Sequence, residues 1–153
     1  MKLVLQRVRR ASVTVFDAEH SDGIRTGEIG RGLVILVGFR AGDIMDSASK
    51  LARKLLELRI FEDDEGRMNR SVSDIGGALL VVSQFTLLGD CRKGRRPSFD
   101  AAAPPDKARG LYEYFISLIA QYGLAAASGE FQASMQVCLV NDGPVTVLLD
   151  SKK

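Results

Sequence analysis

At 153 residues, 46% hydrophobic and 26% charged, the chain has the length of one domain (1–153) with its own core and the composition of a soluble globular protein. Its net charge of +2 excludes binding driven by whole-molecule electrostatics, so any role with nucleic acid must rest on a local patch. The start, Met1-Lys2-Leu3-Val4-Leu5-Gln6-Arg7, lacks the long apolar stretch of a signal peptide, and no segment approaches the ~18 consecutive apolar residues of a membrane span.

In chain order, Leu3, Leu5 and Arg7 alternate with Val4, Gln6 and Val8, which predicts a strand. A short turn is expected at Arg9-Arg10, and Val13 and Val15 then alternate with Ser12 and Thr14. His20, the only histidine, falls in a polar stretch and reads as a solvated loop residue, which leaves little for a metal site or a Ser-His-Asp arrangement to use. Gly30-Arg31-Gly32 punctuates a further pair of strands. The run Leu33–Val37 is apolar on both faces, as a doubly covered central strand is. Asp43 is placed to cap a helix carrying one stripe, Ile44, Ala48, Leu51, Leu55 and Leu58. A loop from Glu62 to Gly77 leads to a buried strand, Ala78 to Val82. Pro104-Pro105 opens a second helix with Ala108, Leu111, Phe115, Leu118 and Tyr122 on its inner face, and Gly123 ends it. Two strands, Met135–Val140 and Val145–Leu149, close the chain around Asn141-Asp142-Gly143-Pro144. Cys91 and Cys138 form no CxxC pair and read as free thiols of a reducing compartment, with Cys138 buried in its strand and the cytosol as the expected location. Many strands, two principal helices and no βαβ repeat predict an α+β fold, mainly antiparallel and barrel-like.

Three segments can carry chemistry. Ser83-Gln84-Phe85-Thr86 follows the buried strand and brings hydroxyls and an amide to the edge of the core, where they orient a polar substrate or simply satisfy backbone groups at a strand end. Asp142-Gly143-Pro144-Val145-Thr146 is a turn signal, because glycine accepts positive φ and proline fixes the next residue. Cys91-Arg92-Lys93-Gly94-Arg95-Arg96-Pro97-Ser98-Phe99 is a loop whose cations Arg92, Lys93, Arg95 and Arg96 suit phosphate oxygens or bulk water equally.

Taken together, these segments resemble the D-aminoacyl-tRNA deacylases. Ser83-Gln84-Phe85-Thr86-Leu87 and Asn141-Asp142-Gly143-Pro144-Val145-Thr146 look like that family's paired signature. The resemblance extends through Leu5-Gln6-Arg7-Val8, Leu58-Arg59-Ile60-Phe61-Glu62, Gly66-Arg67-Met68-Asn69 and Lys93–Phe99. It implies a homodimer that hydrolyses the ester of D-aminoacyl-tRNA, and of glycine mischarged on tRNA, without a cofactor or metal. It further implies a cis Gly143-Pro144 bond that enters the partner's pocket as a chirality filter. Ser83, Gln84, Phe85 and Thr86 would line that pocket, with Phe131, Ala133 and Met135 also against the substrate. This chain departs from the common pattern at Leu88-Gly89, where many members have Tyr-Ala, at Gln132, where glycine is common, and at Arg70, where an apolar residue is usual.

The lack of a histidine in these segments fits such chemistry. An aminoacyl ester is already activated, and the 2′-hydroxyl of the terminal ribose can assist its hydrolysis. The protein then has to orient the ester and offer donors to the oxyanion, with backbone N–H groups near Phe85 and Thr86 as candidates. Thr86 is the obvious nucleophile, but nothing nearby supplies a base, so orientation is its expected role. Two rival classes are a non-catalytic tRNA-binding module, which would keep the basic loop without needing both short motifs, and a structural oligomerising β protein, which leaves the Arg-Lys cluster unexplained.

Overall fold

The computed structural model describes residues 1–18 and 20–152. Among these residues eight strands and two helices follow in order: β1 Lys2–Phe16, β2 Ile24–Ile29, β3 Gly32–Gly38, α1 Met45–Glu57, β4 Phe61–Glu62, β5 Met68–Arg70, β6 Ala78–Ser83, α2 Pro105–Gln121, β7 Ala126–Ser128 and β8 Ser134–Asp150. A single 3-10 turn, Phe85–Leu88, follows β6.

β1 organises the sheet. One of its edges pairs antiparallel with β2 and β3, which lie end to end along it, and the other pairs antiparallel with β8. Gly30-Arg31 is therefore a joint in one long ribbon rather than a hairpin. β6 adds to β3 in parallel and β7 adds to β6 in parallel, and β7 packs back against β2 so that the sheet curls towards a barrel. The α+β class holds, with these two parallel pairs making the sheet mixed.

The turn expected at Arg9-Arg10 is absent, since β1 runs unbroken past it. Those residues instead mark register shifts against β8, between Gln6 and Val8 and between Val8 and Arg10. A bulge reverses which side chains face inward. Arg7 and Val8 are accordingly both buried and Arg9 and Arg10 both exposed. Through this slip β1 serves two cores. Leu3 and Leu5 join Leu33, Ile35, Leu79 and Val81 beneath the helices. Val8, Ala11 and Val13 join Val34, Leu80 and Val82 inside the curled sheet. β3 and β6 alternate between these cores with the period of two that a doubly covered strand requires.

Both helices lie on the outer core. Ala48, Leu51 and Leu55 of α1 are buried as their spacing predicts, but Asp43 does not cap that helix. Its carboxylate accepts the Arg40 backbone N–H at 2.6 Å and pairs with the Met1 ammonium, which also donates to Ser151 Oγ at 2.6 Å. In α2 the buried residues are Leu111, Tyr112, Phe115 and Ile119, while Tyr122 is the exposed C-cap. Ala108 and Leu118 pack partly buried against the same core, so of the expected inner face only Tyr122 is misplaced, and Gly123, at φ 74°, ends the helix as expected. Full burial of Phe115 contributes roughly 1.5–3 kcal/mol.

Two further segments differ from expectation. Within Glu62–Gly77 the chain forms the β4–β5 hairpin, organised by the Asp63 carboxylate, which accepts the backbone N–H groups of Glu65 at 3.0 Å and Arg67 at 2.9 Å. At the C-terminal end the two expected strands are one, β8, because both halves pair with β1. Cys138 lies on the edge strand β8 but is exposed, as Gln136 and Val140 on the same face are, because no described residue covers them. His20 is an exposed loop residue whose ring Nδ1 lies 2.9 Å from Asp17 Oδ1.

Candidate active site

The parallel pairing of β3 and β6 sets Val37 opposite Ser83, so both strands end at the same edge. Here the Gln84 backbone N–H donates to the Val37 carbonyl at 2.7 Å, and the chain then tightens into the 3-10 turn. An open pocket of about 680 Å³ lies at this edge. Ser83, Gln84 and Phe85 line it from the β6 side. Phe131, Gln132 and Ala133 line it from the segment that leads into β8, Met135 from the start of β8 itself, and Phe99, Pro105 and Ala108 complete much of the rest.

Six residues expected at the site thus meet in one pocket: Ser83, Gln84, Phe85, Phe131, Ala133 and Met135. Thr86 does not line it. Its side chain is exposed beside the pocket, and its hydroxyl accepts a hydrogen bond from the Gln84 amide. Phe85 stands edge-on to Phe99, ring centres 5.0 Å apart. Gly89 makes room for that contact, because a Cβ there would stand 3.0 Å from the Phe99 ring and 3.1 Å from the Thr86 carbonyl. The neighbouring departure, Leu88, is buried beneath the turn. Arg70 lies elsewhere, on the β4–β5 hairpin, paired with Asp64 at 2.8 Å.

Gly143 and Pro144 lie outside the pocket of their own chain. Between the pairs Gln6–Thr146 and Val8–Asn141, four residues of β8, Asp142 to Val145, stand against Arg7 alone, so this stretch is pushed out of the ladder. The Gly143-Pro144 bond is cis, Gly143 has φ 124°, and both residues are exposed. Arg7 fixes the protrusion from beneath. Its Nε donates to the Asp142 carbonyl at 3.0 Å, its Nη1 to the Ile60 carbonyl at 2.7 Å, and its Nη2 reaches Glu62 Oε1 at 3.4 Å. Arg9 Nε donates to Asp142 Oδ1 at 3.0 Å, and Asn141 Oδ1 accepts the Val145 N–H at 2.9 Å. In the sequence, Arg7 and Asn141 had no role beyond membership of the family's motifs, and Arg9 was not singled out as a functional residue. The signal for Arg7 was present in a cation that shares the apolar face of Leu3 and Leu5.

In the basic loop, all four cations are exposed. Arg92 is already committed to Asp90, with Nε at 2.9 Å from Oδ1 and Nη2 at 2.6 Å from Oδ2. That guanidinium holds the Asp90 carboxyl well below the usual carboxylate range. Lys93, Arg95 and Arg96 form no ion pair among the described residues.

The fold and pocket define a curled α+β protein whose described lining offers two amides, a hydroxyl and aromatic rings, with no acid, lysine, arginine or histidine among them. Residues 4–150 match the model of the D-Tyr-tRNA(Tyr) deacylase family, and the chain belongs to that family. The D-aminoacyl-tRNA deacylase of Koribacter versatilis is 58% identical over 153 residues, covering 100% of this chain and 99% of its own. The protein of the same name from Geobacter sulfurreducens is 55% identical over 152 residues, covering 99% and 96%. A solved structure, the c-Myc DNA Unwinding Element Binding Protein, superposes with a TM-score of 0.90 at 41% identity, covering all of both chains.

Proposed function

We propose that residues 1–153 act as a single domain that hydrolyses the ester of D-aminoacyl-tRNA, and of glycine mischarged on tRNA, in chiral proofreading in the cytoplasm. The observation that carries the mechanism is the pocket lined by Ser83, Gln84 and Phe85, with no titratable base among the described lining residues, which suits an ester that needs positioning more than proton abstraction. The 2′-hydroxyl of the terminal ribose assists attack by water. The N–H groups of Phe85 and Thr86 head the 3-10 turn, where helix geometry leaves donors unpaired within the helix, and they steady the oxyanion. Thr86 orients Gln84 through their hydrogen bond.

The functional unit is a homodimer in which Gly143-Pro144 of one protomer enters the partner's pocket. Support comes from the exposed protrusion, which lies outside its own pocket, and from the outward face of β8, where Leu148 is 76% and Val140 39% exposed. A rigid carbonyl where an L side chain must go rejects the wrong enantiomer by clash, and glycine escapes because it has no side chain.

The test is hydrolysis of D- and L-Tyr-tRNA by chelator-treated protein of known solution mass, with and without the terminal 2′-hydroxyl. Its removal is expected to slow turnover by about 10²-fold or more, against less than ~10-fold for Thr86→Ala. A covalent aminoacyl ester on Thr86, or a fully active monomer, would overturn this account.

A further inference from the structure

Gln132 is the one non-glycine residue with positive φ among the described residues, at 67°. The left-handed region crowds Cβ against the backbone, so a residue with a side chain stays there only where its surroundings hold it. The holder is on α2. Arg109 Nη2 donates to Gln132 Oε1 at 3.1 Å, and the same guanidinium lies over the Phe131 ring, 4.7 Å from its centre. Phe131 in turn packs against Tyr112 at 5.7 Å, and the Tyr112 hydroxyl donates to the Val81 carbonyl at 2.9 Å, two residues before Ser83. A line of contacts thus runs from an exposed arginine, itself outside the pocket lining, to the strand that carries Ser83.

We propose that Arg109 and Gln132 form a latch that fixes the Phe131 wall of the pocket, making Arg109 a positioning residue for the flat base of the substrate's terminal nucleoside. This rests on the deacylase reading above. A pocket of about 680 Å³ with the rings of Phe85, Phe99 and Phe131 in its lining suits a planar base, which stacks on aromatic faces without sequence-specific hydrogen bonds. The terminal adenosine is also the part of the substrate shared by every aminoacyl-tRNA. Arginine suits the latch because its planar fork can donate to the amide while its face covers the ring, which a lysine ammonium cannot do at once.

The experiment compares wild type with Arg109→Ala, Arg109→Lys, Gln132→Gly and the double variant Arg109→Ala/Gln132→Gly. It measures backbone hydrogen exchange over residues 129–134 in the free protein, and steady-state kinetics on D-Tyr-tRNA and glycyl-tRNA. Arg109 is exposed, so its variants are expected to fold, and their thermal midpoints check this. Arg109→Ala should speed exchange in the segment by about tenfold and raise KM ~5-fold on both substrates, with kcat within about twofold. Lysine should fail to restore KM, and the double variant should be no worse than Arg109→Ala, as expected of residues that act as a unit. Unchanged exchange and KM in Arg109→Ala, full rescue by lysine, or independent losses in the double variant would overturn the latch. A KM rise on one substrate only would overturn the nucleoside assignment. Inactive wild-type protein would overturn the deacylase reading instead, while exchange would still decide the latch.

Discussion

A single cation, Arg7, holds the protruding loop from inside the protein. It is 4% exposed, and its donors serve the carbonyls of Asp142 and Ile60. Arg7→Met would leave these carbonyls without their donor and free the loop, so a stability loss of about 3 kcal/mol is expected by urea unfolding, together with weaker D/L discrimination. Unaltered discrimination in the variant would show that the loop holds its shape without Arg7. Gly143→Ala is a blunter probe. At φ 124° any side chain is strained, and a Cβ would lie 2.9 Å from Arg7 Nη2, so the variant disturbs its own loop before it meets any partner. The polar pocket residues were legible in the sequence because Ser83 and Gln84 interrupt an apolar run. The placement of Thr86 was not legible, because nothing in the order Ser-Gln-Phe-Thr reveals that a 3-10 turn carries the fourth residue out of the lining.

At the scale of elements, the loop Arg92 to Arg96 divides its charges unequally. Arg92 is partnered by Asp90, whereas Lys93, Arg95 and Arg96 are in no ion pair among the described residues. If the loop grips tRNA phosphates, Arg95→Gln with Arg96→Gln should flatten the slope of log binding constant against log salt by about 1.5–2 units. Arg92→Gln should change it by less, because binding would first have to break the existing pair. Equal slopes for wild type and the double variant would return the loop to solvated surface. Elements themselves were legible wherever apolar spacing was regular, as in β3, β6 and the centre of α1. β1 was misread at Arg9-Arg10 because two adjacent exposed cations look the same in a turn and in a strand that has slipped register. The single length of β8 was hidden for a related reason. Asp-Gly-Pro marks a departure from the ladder but not whether the chain returns to the same partner.

On the scale of the whole molecule, the two ends of the chain are fastened to each other. Arg40 grips Asp150 through both oxygens, at 2.7 and 2.5 Å, beside the Met1 ammonium and Asp43. The Arg40 hydrogen bond lowers the Asp150 carboxyl to about 2 from its ordinary 3.8. A carboxylate depressed on folding contributes stability above its unfolded value and loses it as pH falls through the folded one. The contribution of this pair is therefore present above about pH 4 and fades towards pH 2. Asp150→Asn should lower stability near neutral pH and make its decline over that window shallower, which urea titrations at several pH values would read. Parallel profiles for wild type and variant would remove Asp150 from the account of acid stability.

The separation of the Gly143-Pro144 protrusion from its own pocket has a genetic consequence. If each site takes its cleft from one chain and its filter from the other, a chain damaged at Gln84 and a chain whose Gly143→Ala methyl group crowds the partner's pocket are each inactive alone, for different reasons. In a mixed dimer both lesions fall in the same site, and the second site receives only sound parts. Random pairing of equal amounts makes about half the dimers mixed, so roughly a quarter of all sites should be intact. Refolding Gln84→Ala with Gly143→Ala should therefore regain about a quarter of wild-type deacylation, whereas filters and clefts belonging to one chain would leave the mixture as inactive as its parents.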